Sequence, residues 1–190
     1  MARPELQARR FFAPTSRLRG PGAVARPDRI GYEVGMKILV LGLGNPLVTD
    51  DSVGLRVAAE LKDLLAGRPE VEVGEDFCGG LRLMERMIGY DRAIVIDAIQ
   101  TGAPPGTLHR LAVDSIPTQR SASAHDASLP TALALGRLAG AALPRDEDIL
   151  LVGIEADDVL SFGEECTPAV REAIGPAVRL VVEAVDRLLD

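Results

Sequence analysis

One stretch constrains the chain more than any other: MKILVLGLGNPLVTDDSVGLRV, starting at Met36. The apolar run Ile38-Leu39-Val40-Leu41 leads into a glycine loop, Gly42-Leu43-Gly44-Asn45-Pro46, and Asp50 and Asp51 follow before an amphipathic helical pattern begins. A short apolar run bounded by glycines reads as a buried strand. Open α/β sheets hold their ligands outside the carboxyl ends of such strands, so this pattern sets two acids at the mouth of a site. A phosphate cradle needs bare backbone N–H groups at a helix start. Two aspartates there repel phosphate and attract a cation.

The rest of the chain alternates strand and helix patterns. Residues 52–66 read as a helix with Val53, Val57, Leu61 and Leu64 or Leu65 on one face, stopped by Gly67 and Pro69. Residues 71–76 read as a strand, 80–88 as a short helix, and 93–99 as a second strongly apolar strand with Asp97 near its end. Residues 106–113 read as a strand, 128–142 as a helix and 148–154 as the last core strand. Thr167-Pro168 reads as an N-cap with proline at the first helical position, opening a helix to the C-terminus. The apolar face of that helix is Val170, Ile174, Val178, Val181 and Val185. This alternation predicts one three-layer α/β/α domain with a mostly parallel sheet.

Charge divides the chain in two. Residues 1–35 hold seven arginines and three acids, a balance of +4, whereas residues 36–190 hold 14 basic and 25 acidic residues, a balance of −11. A body this acidic argues against nucleic acid, whose affinity rests on phosphate neutralisation. Arg9-Arg10-Phe11-Phe12 hints at a twin-arginine export signal, but Arg17, Arg19 and several Pro and Gly break the apolar segment such a signal requires. Residues 1–35 therefore read as a disordered basic extension, and residues 36–190 as the folded domain. Cys78 and Cys166 form no CxxC pair and read as free thiols in a reducing cytoplasm. No run of 18 apolar residues predicts a transmembrane helix.

Asp97 interrupts an otherwise apolar strand, where a charge is costly unless paired or metal-bound. One aspartate suffices to cap the first helix, so Asp50 is assigned to capping and Asp51 to the site. His109 sits in a strand pattern and reads as an outward-facing residue. His125 sits in a polar loop beside Asp126, where a histidine is usually just solvated; convergence with Asp51 and Asp97 would make three ligands with open positions. Imidazole in such a set suits Zn, Ni, Cu or Fe. A dinucleotide site fails because the third glycine of GxGxxG is missing. No GxSxG elbow exists. Cys78 stands beside Glu75 and Asp76, which oppose the thiolate a nucleophile needs. Cys166, Asp157, Asp158, Glu164 and Glu165 read as a solvated loop near the site, in reach of substrate.

Five segments in order resemble the hydrogenase maturation proteases, nickel-dependent endopeptidases acting on the large subunit of [NiFe] hydrogenases: GLGNPLVTDDSVG, CGGLRLMERM, IVIDAI with PPGT, SAHDASL, and VGIEADDVLSFGEECTPAV. The resemblance covers about residues 36–190. It implies a phosphorylase/hydrolase-like α/β fold and an aspartate- or metal-assisted peptide hydrolase. It also implies that Asp51, Asp97 and His125 contact the metal and carry catalysis. Some family members have glutamate where Asp51 stands, and glycine is frequent where this chain has Ser52. The implied partner is a precursor large subunit whose C-terminal peptide is removed after nickel insertion. The nickel arrives with that precursor, so the resting enzyme can be metal-free. The resemblance leans towards a cytoplasmic monomer without membrane or nucleic-acid partners.

Two other readings share parts of this pattern. GLGNP also opens peptidyl-tRNA hydrolases, but those need a histidine soon after the loop, and here none precedes His109. A non-proteolytic nickel-binding assembly chaperone would use the same three ligands.

Overall fold

A five-stranded sheet of order β2-β1-β3-β5-β4 organises the protein: β1 Ile38–Leu43, β2 Val71–Asp76, β3 Arg92–Ile99, β4 Leu108–Leu111 and β5 Ile149–Glu155. The computed structural model describes residues 35–77, 79–115 and 128–189. The expected extension at 1–35 (Gly35 excepted), Cys78 and the loop bearing His125 lie outside the described residues. Among the described residues, four α-helices flank the sheet: α1 Val53–Leu64, α2 Gly80–Arg86, α3 Leu129–Leu138 and α4 Pro168–Leu189. The first three strands and β5 run parallel, and β4 pairs antiparallel with β5 at one edge. The expected mostly parallel α/β/α domain is what forms, with β4 shorter than the 106–113 pattern.

Strand alternation builds two cores. Ile38 and Val40 of β1, with Ile94 and Ile96 of β3, face α1 and α4. Leu39 and Leu41, with Ala93 and Val95, face α2 and α3. Full burial of such side chains contributes roughly 1.5–3 kcal/mol each, which outweighs the weak intrinsic preference of any one segment. Of the two leucines at the end of α1, Leu65 is buried and Leu64 faces solvent. All five apolar positions predicted for α4 are buried.

The strand order reverses direction at β1. The chain passes from β1 to β2 on one side, then returns to lay β3 on the other. The crevice between the carboxyl ends of β1 and β3 is thus a topological switch point, where doubly wound sheets bind ligands.

Two glycines let α1 close one side of this crevice. A Cβ on Gly42 would lie 2.2 Å from the Gly54 carbonyl oxygen and 2.6 Å from the Ala58 Cβ. A Cβ on Gly54 would lie 2.2 Å from the Leu43 carbonyl oxygen and 2.5 Å from that of Ile96. The helix backbone therefore rests directly on both strands.

Candidate active site

Asp51 follows β1, in a single 3-10 turn, Asp50–Ser52, that leads into α1. The turn fits because Gly44 has φ +146°, and a Cβ there would lie 1.9 Å from the Asp51 carbonyl oxygen. Asp51 is half-buried, and its Oδ2 accepts the Asn45 amide at 2.8 Å. Asn45 in turn accepts the Leu47 amide at 3.0 Å through its side-chain oxygen, an Asx turn that shapes the loop. The sequence GLGN thus serves as a mount for the Asp51 carboxylate.

Asp97 belongs to β3, also half-buried. Pairing of β1 with β3 ends at Gly42 and Ile96, so Asp97 is the next residue along, where the strands part. Alternation sets it on the Ala93 and Val95 face, which α2 and α3 cover. Asp51, in the turn that follows β1, and Asp97, on β3, therefore flank the switch point. His125 lies outside the described residues. Among the described residues, no group of three His, Cys, Asp or Glu side chains could hold a metal ion.

Asp50 has a different task from its neighbour and from the expected cap. It is fully buried, and its carboxylate reaches across to the segment before α4. Its oxygens instead accept the amides of Asp157 at 3.0 Å, Asp158 at 2.9 Å and Thr167 at 2.7 Å, and the Thr167 hydroxyl at 3.0 Å. An anion taken out of water is stable only when its lone pairs are used, and here four donors use them. Asp50 fastens the segment between β5 and α4 to the turn that holds Asp51.

Ser52 adds a second fastening. Its hydroxyl donates to the Thr49 carbonyl oxygen at 2.8 Å and accepts from the Arg56 guanidinium at 3.1 Å. Arg56 also donates to the Glu164 carbonyl oxygen. Cys166 is buried with its Sγ 3.6 Å from the Ser52 oxygen, so it packs behind the turn rather than lying in a solvated loop. Asp157, Glu164 and Glu165 are exposed as expected. Asp158 takes the Leu160 and Ser161 amides, and these hydrogen bonds, those of Ser161 foremost, hold its carboxyl below the usual range.

His109 is not the outward-facing residue that its strand pattern suggested. Its Nε2 lies 3.1 Å from Oε2 of Glu155, which is 2% exposed. Glu155 also accepts the Thr101 amide at 2.7 Å, the Thr101 hydroxyl at 2.8 Å and the Gly102 amide at 2.8 Å. Burial pushes the Glu155 carboxyl up, but these donors and His109 outweigh it, and the net displacement is downward. Glu155 thus holds the loop that leaves β3 just beyond Asp97. Sequence reasoning passed over it, although its signal matched that of Asp97: an acid at the end of an apolar strand.

Comparison with known proteins adds a family to this geometry. A family model described as hydrogenase maturation protease matches residues 55–184, a span that includes Asp97 and His125 and begins just after Asp51. The hydrogenase 2 maturation protease of Escherichia coli is 31% identical over 153 residues, covering 79% of this chain and 91% of that one. The hydrogenase expression/formation protein HupD of Thiocapsa roseopersicina is 30% identical over 150 residues, covering 77% of this chain and 66% of its own length. The structure of the hydrogenase maturating endopeptidase HybD from E. coli superposes with a TM-score of 0.65 at 30% identity, covering 80% of this chain and 93% of that one.

Proposed function

Because this chain belongs to the hydrogenase maturation protease family, we propose that it removes the C-terminal peptide of a nickel-loaded [NiFe] hydrogenase large-subunit precursor, using Asp51, Asp97 and His125. The observation that carries this reading is the pair of half-buried carboxylates flanking the β1/β3 switch point. Two like charges set beside one crevice favour a cation between them. In the sequence His125 precedes Leu129, the first residue of α3, by four positions, and α3 covers the sheet face to which Asp97 belongs.

Two carboxylates and one imidazole leave coordination positions open. Nickel carried by the precursor fills its shell on these side chains, so a loaded precursor gains a contact that an unloaded one lacks. Selection for the correct substrate follows from required ligation, before any bond is broken.

For the chemical step, the substrate's nickel can polarise the scissile carbonyl or acidify a bound water. Alternatively, an aspartate takes the proton from an attacking water as general base. The Asn45 amide holds Asp51 in one orientation for either task. In either case water adds to the peptide carbonyl and the C-terminal peptide leaves as an amine. We assign the reaction to the cytoplasm, in keeping with cysteines that have no pairing motif; among the described residues no helix is long and apolar enough to cross a membrane.

The test is incubation of purified precursor, with and without nickel, followed by intact-mass measurement. Wild-type protein should shorten only the loaded precursor, and Asp97→Asn should leave it whole. Full cleavage by Asp97→Asn would refute the assignment. A loaded precursor that binds wild-type protein and is never shortened would instead indicate a nickel-handling chaperone.

A further inference from the structure

A short ribbon of two tied segments runs beside Asp51. Val48 and Phe162 form an antiparallel bridge. The Thr49 amide and hydroxyl both donate to the Ser161 carbonyl oxygen, at 3.1 and 2.8 Å, and the Gly163 amide donates to that of Leu47 at 3.2 Å. The Asp50 amide donates to the Asp158 carbonyl oxygen at 3.0 Å. These bonds and the Asp50 carboxylate fix the ribbon to the turn at the head of α1.

Three large apolar side chains stand out from this ribbon. Leu47 is 66% exposed, Leu160 86% and Phe162 84%. One exposed leucine needs no explanation, but three such side chains on a ribbon held by these hydrogen bonds mark an interaction site. A mobile loop would lose entropy on binding, whereas a tied one has already lost it. The ribbon is also continuous with the catalytic mount: Leu47 donates to Asn45, and Asn45 donates to Asp51. A protein chain delivering a peptide bond to Asp51 arrives against these residues. Exposed Asp157 and Glu164 stand at the two ends of the 158–163 segment. With a folded body of charge −11, they favour a partner whose contact surface has an apolar centre and a basic margin.

We infer that Leu47, Leu160 and Phe162 form the docking seat for the precursor large subunit, separate from the residues that meet its nickel. This rests on the proposed function for the identity of the partner. The ribbon then supplies affinity and register, while Asp51, Asp97 and His125 supply selection for nickel and chemistry.

The experiment compares wild-type protein with Leu160→Ser/Phe162→Ser, and with Leu160→Glu, which leaves the bridge residue intact. Processing kinetics are measured on nickel-loaded precursor, and precursor binding is measured separately by biolayer interferometry in the Asp97→Asn background. KM and Kd should each rise at least about tenfold, roughly 1.4 kcal/mol, with kcat at saturating precursor within about twofold of wild type. Salt should raise KM for the wild type. Unchanged KM and Kd in both variants would overturn the docking seat and leave the protease assignment standing. Loss of binding in the variants, with no processing by the wild type, would uphold the seat and remove the protease assignment. A wild-type protein that neither binds nor shortens the precursor would overturn both.

Discussion

The carboxylate of Asp50 accepts both the amide and the hydroxyl of Thr167, at 2.7 and 3.0 Å, across 117 residues of chain. This pair joins the turn after β1 to the start of α4, and it separates the tasks of two adjacent aspartates. Asp50 spends its lone pairs on structure. Asp51 accepts the Asn45 amide and remains half-exposed at the switch point.

Replacement of these neighbours should therefore give opposite phenotypes. Asp50→Asn sets an amide donor against donors in a fully buried site, and it should cost about 2–5 kcal/mol of stability in urea unfolding. Asp51→Asn keeps an oxygen for the Asn45 amide and should change stability by less than about 1 kcal/mol. Precursor processing by Asp51→Asn should fall by roughly a hundredfold or more. Equal unfolding midpoints for the two variants would refute the division of labour.

Gly54 tests how α1 is seated. Its missing Cβ leaves 2.2 Å to the Leu43 carbonyl oxygen and 2.5 Å to that of Ile96, both rigid backbone. Gly54→Ala should improve intrinsic helix propensity by about 1 kcal/mol yet destabilise the protein by roughly 1–3 kcal/mol net, because the helix must lift from the sheet. Thermal melting checks the sign. Processing should fall with it, since the lifted helix carries Asp51 away from Asp97.

Glu155 predicts a pH dependence. Its folded value lies below the ordinary 4.5, so the folded state favours the ionised form. The stability it contributes is fully present above about pH 4.5 and is lost as pH falls through the lower folded value. The unfolding midpoint of the wild type should drop across this window more steeply than that of Glu155→Gln. Parallel pH profiles for the two proteins would contradict it.

The sheet, its four helices and the apolar faces of α1 and α4 were legible because burial and periodicity report the same pattern: Val57, Leu61, Val178 and Val181 recur at helical spacing and all are buried. Asp51 and Asp97 were legible as acids where apolar strands end. The destinations of side-chain hydrogen bonds were not. Asp50 and Thr167, or His109 and Glu155, are joined by strand order rather than by sequence spacing. His109 looked outward because period-two alternation assigns faces but cannot show that β4 pairs against Gly153 and Ile154, one step from Glu155. Cys166 looked loop-bound because nothing in its neighbours announces Ser52 behind it.

The central claim is that Asp51, Asp97 and His125 grip one metal ion, and calorimetric titration of the purified protein with Ni²⁺ tests it most directly. Wild-type protein should bind a single ion, and Asp51→Asn, Asp97→Asn and His125→Ala should each weaken that binding by at least about tenfold while melting like the wild type. Wild-type affinity for nickel in all three variants would contradict the account.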